Sequence, residues 1–302
     1  MENHCAKKGI KFFVALLAAV LLFCTISFNS SAKAATADAS ALKTNAIQMI
    51  MVEASRTGTS AILQRYVKES GKWKKYSNPM QAVVGKNGIG KGKEGDARTP
   101  AGTYLFGTSF GWGNKPAGTV YPFKGVSKYD YWIDDVNSVD YNKWVYFKGD
   151  PNQRWQSFER LNHPLYKYAM VIRYNDNPIV KGAGSAIFLH IKSGSTKYTL
   201  GCVAVSEGDL ISILKWLDSK KKPVIEIKHV EMPQEPVKIT ANTLNIRSGA
   251  SINYKIVGNV TKNKSFSVKD VVLNSQNQLW LRIEYTKGKY GWISAMYTTY
   301  KR

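Results

Sequence analysis

The chain has 302 residues, with 43 Lys and Arg against 21 Asp and Glu, a formal net charge of +22. That length accommodates one or two domains, and the surplus of positive charge points to polyanionic surroundings. No nucleic-acid recognition motif accompanies the charge. With four histidines, three cysteines and neither an HExxH nor a paired-cysteine spacing, neither a metal site nor another cofactor is expected.

The first element is a targeting segment. Lys7, Lys8 and Lys11 precede an apolar run of twelve residues, Phe12 to Phe23, and Ala32-Lys33-Ala34 is a small-x-small cleavage signal. This is the layout of a secretory signal peptide spanning residues 1–34, and the run is short for a membrane helix, which needs about 20 apolar residues. A retained N-terminal anchor is the rival reading. A lipoprotein reading through Cys24 is disfavoured by the bulky Phe23 before it. Cleavage removes Lys7, Lys8, Lys11, Lys33 and Glu2, lowering the net charge from +22 to +19. The product is expected to be secreted, without a stable membrane span, and attracted to anionic wall polymers or lipid headgroups.

Cys5 and Cys24 leave with the signal, so Cys202 is the single cysteine that remains. An unpaired thiol in an exported chain is either a small buried apolar side chain or a reactive group.

Residues 35–45 read as a flexible lead, and a mainly β domain is expected over 46–230. Ala46–Ala54 and Ile62–Val67 carry strand patterning, with a turn at Gly71-Lys72. Lys86 to Gly102 (KNGIGKGKEGDARTPAG) is rich in glycine and charge and predicts a surface loop; Gly107–Gly118 predicts another. Ala169–Tyr174 and Ala186–Ile191 read as core strands, and Pro223–Val230 as a closing strand. Ser206-Glu207-Gly208-Asp209 is a capping box. It opens one helix over Leu210–Lys220, with Leu210, Ile213, Leu214 and Leu217 on one face. Residues 231–236 (EMPQEP) read as a linker. Residues 237–302 hold several short strands and predict a small closed barrel, with 11 basic and 2 acidic residues.

The thiol needs a base to act as a nucleophile at neutral pH. His190 lies on a core-type strand twelve residues before Cys202, with a Ser/Gly/Lys/Thr loop between them. Two strand ends joined in this way place imidazole and thiol side by side, where neutral His190 takes the thiol proton or the two form an ion pair. His163, before Pro164, reads as structural at a strand start, and His229 as solvent-facing. The N–H groups of Gly201 and Cys202 are candidate oxyanion donors. Ser185 and Thr199 are hydroxyls near the two strand ends. Arg98, Arg173 and Lys192 are the candidate cations for a substrate carboxylate. A thiol-reactive probe near neutral pH is the simple means of separating a reactive from an inert cysteine.

The stretches GSAIFLH (184–190) and TLGCVAV (199–205), with RTPAGTY (98–104) upstream, resemble the L,D-transpeptidase catalytic domain of YkuD type. WIDDVNS and YNKWV, between Trp132 and Val145, resemble a subgroup of it. The resemblance covers about residues 47–230. It implies a β-sandwich-like fold, Cys202 as nucleophile, His190 as base, and peptidoglycan stem peptides as substrate. It further implies attack on the carbonyl of the third stem residue, loss of the terminal D-alanine, a thioester, and transfer to an amine to give a 3→3 cross-link. The sequence departs from the family pattern in several places: Leu200 stands where a second histidine is usual, Ala204 where a polar residue is common, and Ile191 where glycine usually follows the histidine. Residues 237–302, through TLNIRSGASINYKIVGNV, WLRIEY and KYGWISAMY, resemble a bacterial SH3-type domain, which implies peptidoglycan binding. Trp280, Trp292 and several tyrosines are candidate stacking residues there.

Three other functions remain in view. An L,D-carboxypeptidase uses the same pair with water as acceptor. A sortase requires an arginine shortly after the cysteine, whereas the next basic residue is Lys215. A non-catalytic wall-binding protein would keep Cys202 buried and inert.

Overall fold

A computed structural model describes residues 40–300 except 57, 275 and 277. The targeting segment, its cleavage site and most of the lead lie outside the described residues. Residues 40–45, expected within a flexible lead, are helical.

The chain is mainly β, with one long helix. In order the strands are β1 (Gln48–Ala54), β2 (Ser60–Glu69), β3 (Lys72–Lys75), β4 (Met80–Val83), β5 (Gly102–Gly111) and β6 (Phe123–Gly125). Three short strands follow, β7 (Asp130–Ile133), β8 (Trp144–Tyr146) and β9 (Phe158–Arg160). Then come β10 (Ala169–Ile172), β11 (Phe188–Ile191), β12 (Val203–Val205), helix α1 (Glu207–Trp216) and β13 (Val224–His229). The main sheet runs β1-β13-β5-β10-β11-β12-β4-β2-β3, and β1 also pairs with β2. The sheet therefore closes on itself, and its halves pack face to face as in a sandwich.

Alternation decides which face each strand buries. Ile50, Val52 and Ala54 of β1 point inward with Leu189 and Ile191 of β11, Val203 and Val205 of β12, and Ile225 and Ile227 of β13. Helix α1 adds Leu210, Ile213 and Leu214 to this core, and Leu217 just beyond its end joins them. The outer face of β10–β12 carries a second cluster, in which Phe110, Ala169, Val171, Phe188 and Cys202 are covered by Trp132, Leu161 and Tyr166.

That cover is a separate three-stranded sheet, β8-β7-β9. The WIDDVNS and YNKWV motifs build it. Trp132 Nε1 donates to Asn142 Oδ1 at 2.9 Å. The Asn142 amide donates to the carbonyls of Tyr174 and Asn175 at 3.1 and 2.7 Å. Asn142 Oδ1 also accepts from Ala186 N at 3.2 Å, fastening the small sheet to the segment that leads into β11.

Two expectations are corrected. The run from Gly107 was expected as a loop, but β5 continues to Gly111. The glycines there serve close packing, since a Cβ on Gly111 would lie 2.1 Å from the Lys167 carbonyl oxygen. The helix was expected to reach Lys220, but it ends at Trp216. The Gln48 side chain takes the Trp216 carbonyl at 2.7 Å and the Asp218 N–H at 2.9 Å. Asp218 then caps a separate 3₁₀ turn over Ser219–Lys221. Gln48 acts from a distant strand, whereas Asp218 acts from within the stretch expected to be helical. The N-cap half of the capping box is present: Ser206 Oγ accepts from Asp209 N at 3.1 Å, and the Ser206 hydroxyl donates to Asp209 Oδ2 at 2.6 Å.

The C-terminal strands are β14 (Val237–Lys238), β15 (Thr243–Arg247), β16 (Ile256–Thr261), β17 (Ser265–Phe266), β18 (Val268–Leu273), β19 (Leu279–Thr286) and β20 (Lys289–Ser294). Five of them form one sheet, β16-β15-β20-β19-β18. Ile246, Val271, Leu281, Ile283 and Ile293 fill its core, together with Ile62 and Val230 from the first part of the chain. Tyr300 Oη donates to the Glu231 carbonyl at 2.7 Å. Trp280 is a core residue at 3% exposure rather than an open stacking surface. Tyr254, Tyr290 and Tyr297 are the exposed rings.

Candidate active site

β11 and β12 run parallel, with His190 beside Ala204 and Leu189 beside Val203. One step back, Cys202 falls beside Phe188. Side chains two apart on a strand share a face, so Phe188, His190 and Cys202 all lie on the outer face, beneath the β7–β9 cover. Cys202 and His190 line one cleft of about 670 Å³.

Cys202 is held from several sides. The Phe188 N–H points at its sulfur, 3.4 Å away, and the thiol donates to the Ala186 carbonyl at 3.3 Å. The Thr199 and Thr99 hydroxyls both donate to its carbonyl, at 2.6 and 3.0 Å. Thr99 belongs to the RTPAG motif and also accepts from Gly85 N at 2.8 Å. Thr99→Val leaves a buried N–H without a partner and removes one anchor of Cys202. A loss of about 1–3 kcal/mol in unfolding free energy is expected, measured by urea titration.

The His190 ring is fixed by its own strand. Nδ1 lies 2.7 Å from the Ile191 carbonyl oxygen. A carbonyl only accepts, so Nδ1 carries the proton and Nε2 is bare in the neutral ring. The bond uses the main chain, while the Ile191 side chain points into the opposite core; isoleucine in place of glycine therefore leaves the interaction available. Burial, with a contribution from His163, lowers the His190 pKa to about 4, against the bond to Ile191. Burial and then the negative charge of Glu159 push the Cys202 thiol well up, against the Phe188 N–H and Lys91. Both shifts favour a neutral thiol beside a neutral imidazole over an ion pair at rest.

The expected residues divide. Ser185 and Thr199 line the cleft. Gly201 does too, but its N–H donates to Thr199 Oγ1 at 3.2 Å. Arg98, Arg173 and Lys192 are not among the lining residues. Arg98 turns to the Ile89 carbonyl at 3.1 Å, and Arg173 pairs with Asp176. The cations the cleft offers instead are Lys91 and Arg160. Leu200, in place of the second histidine, is 74% exposed at the rim. His163 is not at a strand start: its Nδ1 accepts from Leu165 N at 3.2 Å and caps a 3₁₀ turn. His229 is half-buried rather than solvent-facing, and its Nδ1 is enclosed without a hydrogen-bond partner.

The loop 86–101 supplies what sequence reading did not single out. Lys91 is almost wholly buried and pairs with Asp96 at 3.0 Å. A Cβ on Gly184 (φ +117°) would lie 2.2 Å from Lys91 Cε, so only glycine leaves room for that stem. Burial alone would raise the Asp96 pKa, but the N–H groups of Gly92 and Arg98, the Lys91 ammonium and the Lys93 N–H outweigh it and lower it to about 2. A depressed carboxyl contributes stability above its unfolded pKa and loses it as pH falls through the folded value. Wild type is therefore expected to lose about 1–2 kcal/mol of stability between pH 4 and 2 that Asp96→Asn lacks, measured by urea unfolding across that range. Glu94 accepts from Tyr141 and Ser185 hydroxyls at 2.5 and 2.6 Å. Tyr166 donates to Glu159 and sets its ring edge-on to His190, with centroids 5.4 Å apart. The EGD within the glycine-rich loop was the available signal for Glu94 and Asp96; nothing local marked Glu159 or Tyr166.

A lone thiol and an imidazole with a bare nitrogen, on one face of a sheet beneath a cleft, have the arrangement of a cysteine-type acyl-transfer site. The family comparison points to the same class of chemistry. Residues 59–233 match the L,D-transpeptidase catalytic domain, more than half of the chain, and the chain belongs to that family. Residues 242–299 match the bacterial SH3 domain. A search of curated proteins found no match to the chain.

Proposed function

We propose that the protein is an exported, wall-associated cysteine acyltransferase acting on peptidoglycan stem peptides. The observation that carries this reading is the bare Nε2 of His190 on the same sheet face and in the same cleft as Cys202. His190 takes the thiol proton as Sγ attacks the carbonyl of the third stem residue. The same proton then passes to the departing D-alanine amine, leaving a thioester on Cys202. An amine of a neighbouring stem takes the acyl group, giving a 3→3 cross-link. The Cys202 and Gly201 N–H groups remain the proposed oxyanion donors. Gly201 would have to exchange its Thr199 partner for the developing charge.

Arg160, which lines the cleft, joins the candidate partners of the donor carboxylate, whereas Lys91 is already paired with Asp96. The C-terminal domain holds the enzyme at peptidoglycan, and its excess of basic residues favours anionic wall polymers. No described helix is long and apolar enough to cross a membrane.

Mass spectrometry on a disaccharide-tetrapeptide tests the reading. Expected are loss of the terminal D-alanine, a transient acyl-enzyme and a cross-linked dimer. A tripeptide without any dimer would assign hydrolysis instead, and an unchanged tetrapeptide would overturn the enzyme reading.

A further inference from the structure

The cleft contains carboxyl groups that the thiol and His190 do not use. Glu94, Asp134 and Glu159 all line it. Glu94 is engaged by the Tyr141 and Ser185 hydroxyls. Asp134 also lines the cleft, and its Oδ1 is enclosed without a hydrogen-bond partner. Glu159 sits on β9 and is joined through the Tyr166 hydroxyl to a ring that stands against both His190 and Phe188. Tyr166 and Cys202 share one packed cluster, which puts Glu159 across a single ring from the reacting pair. Besides the reacting pair and Tyr166, the other charged or titratable groups facing the cleft are Lys91, Arg160, His163 and Tyr198. Lys91 is neutralised by Asp96. Arg160 is drawn over the Tyr131 and Phe158 rings. Burial first, then the neighbouring Asp134 and Glu94, raise the Glu159 pKa to about 7, against the Tyr166 hydrogen bond. A carboxyl in that range exchanges protons readily at neutral pH.

The second half of the proposed reaction needs such a group. A stem amine arrives as an ammonium, with no lone pair for attack. Two protons must leave its nitrogen, and neutral His190 can accept one. Water, the acceptor in hydrolysis, needs only that one base. We propose that Glu159 receives the acceptor ammonium in the cleft and takes its first proton, making this acidic wall the amine subsite of the enzyme. The inference rests on the acyl-enzyme reading above.

The step balances. The Glu159 carboxylate takes one N–H proton and becomes the acid. The freed lone pair forms the C–N bond at the thioester carbonyl. When the adduct collapses, the C–S bond breaks and its electron pair stays on Sγ. The second proton goes to His190 and from there to the thiolate. Glu159 then returns its proton to solvent, so that thioester and ammonium become amide, thiol and one released proton.

The test follows how the acyl-enzyme partitions. Full-length wild type, Glu159→Gln, Glu159→Asp and Tyr166→Phe are each incubated with a disaccharide-tetrapeptide bearing a diamino acid at its third position. Dimer, tripeptide and acyl-enzyme are followed by mass from pH 5 to 9, and a thermal melt verifies folding. In wild type the dimer-to-tripeptide ratio is expected to rise through about pH 7, as Glu159 ionises. Glu159→Gln is expected to lower that ratio by roughly 100-fold or more and to flatten its pH dependence. Glu159→Asp restores part of it. Tyr166→Phe keeps the rise but moves it to higher pH, because the carboxylate loses a donor.

An unchanged ratio and pH profile in Glu159→Gln would overturn the inference while leaving the acyl-enzyme reading intact. So would parallel losses of acylation and transfer in Glu159→Gln and Tyr166→Phe, which would mean that Glu159 acts only by holding Tyr166 against His190. Absence of any acyl-enzyme in wild type would overturn both readings.

Discussion

Cys202→Ala is expected to release no D-alanine above background, and His190→Gln to release it roughly 100- to 10,000-fold more slowly than wild type. The magnitude follows from the resting state of the pair. Burial keeps the thiol protonated and the imidazole neutral. Without a base at Nε2, the sulfur would have to ionise inside a largely apolar cluster. The sign of the pH dependence is fixed as well. His190 acts only when neutral, so kcat/KM for D-alanine release falls as pH drops through about 4. Equal release by Cys202→Ala and wild type, followed by mass, would remove the nucleophile assignment. The same burial changes what a thiol probe reports. Slow alkylation near neutral pH is expected of this cysteine whether it is catalytic or inert, so such labelling no longer separates the two.

Phe188→Ala is expected to cost about 3–5 kcal/mol in unfolding free energy. For a chain of this length that lowers Tm by roughly 10 °C. Phe188 is fully buried and meets the rings of Phe110, Trp132 and Tyr166 edge-on, at 5.3, 5.1 and 5.5 Å between centroids. Truncation removes all three contacts and leaves a cavity between sheet and cover, which cannot close without moving both. Phe188→Leu keeps most of the volume and is expected to cost about 1.5 kcal/mol. Urea and thermal unfolding measure both, and a loss under 1 kcal/mol in Phe188→Ala would show that the cover relaxes onto the sheet. Activity should fall further than folding alone requires, because Tyr166 packs against Phe188 and His190 together.

The reach of the sequence is clearest at particular residues. The 3.6-residue spacing of Leu210, Ile213, Leu214 and Leu217 marked a helix face, and the capping box marked its start, because both signals are local. Its end at Trp216 was not legible, because the Gln48 side chain that stops it comes from a strand 168 residues away. The apolar runs at β10 and β11 were legible because both faces of those strands are covered. The extension of β5 to Gly111 was not, since glycines that allow close packing look the same in a sequence as glycines that make loops.

The sequence by itself determined a mainly β chain with one helix behind its cysteine and the two recognisable family stretches, and it singled out His190 with Cys202 as the candidate pair. Residue type and spacing suffice for these, because a thiol without a disulfide partner and a histidine on an apolar strand are unusual locally. Only the tertiary structure decided the company the pair keeps. It set Lys91 and Arg160, rather than Arg98, Arg173 and Lys192, along the cleft, committed the Gly201 N–H to Thr199, and brought Glu159 and Tyr166 to the cleft. Those residues lie in segments joined by strand pairing and by the packing of one sheet over another. Such contacts depend on register and burial across the whole domain, and no short stretch of chain records them.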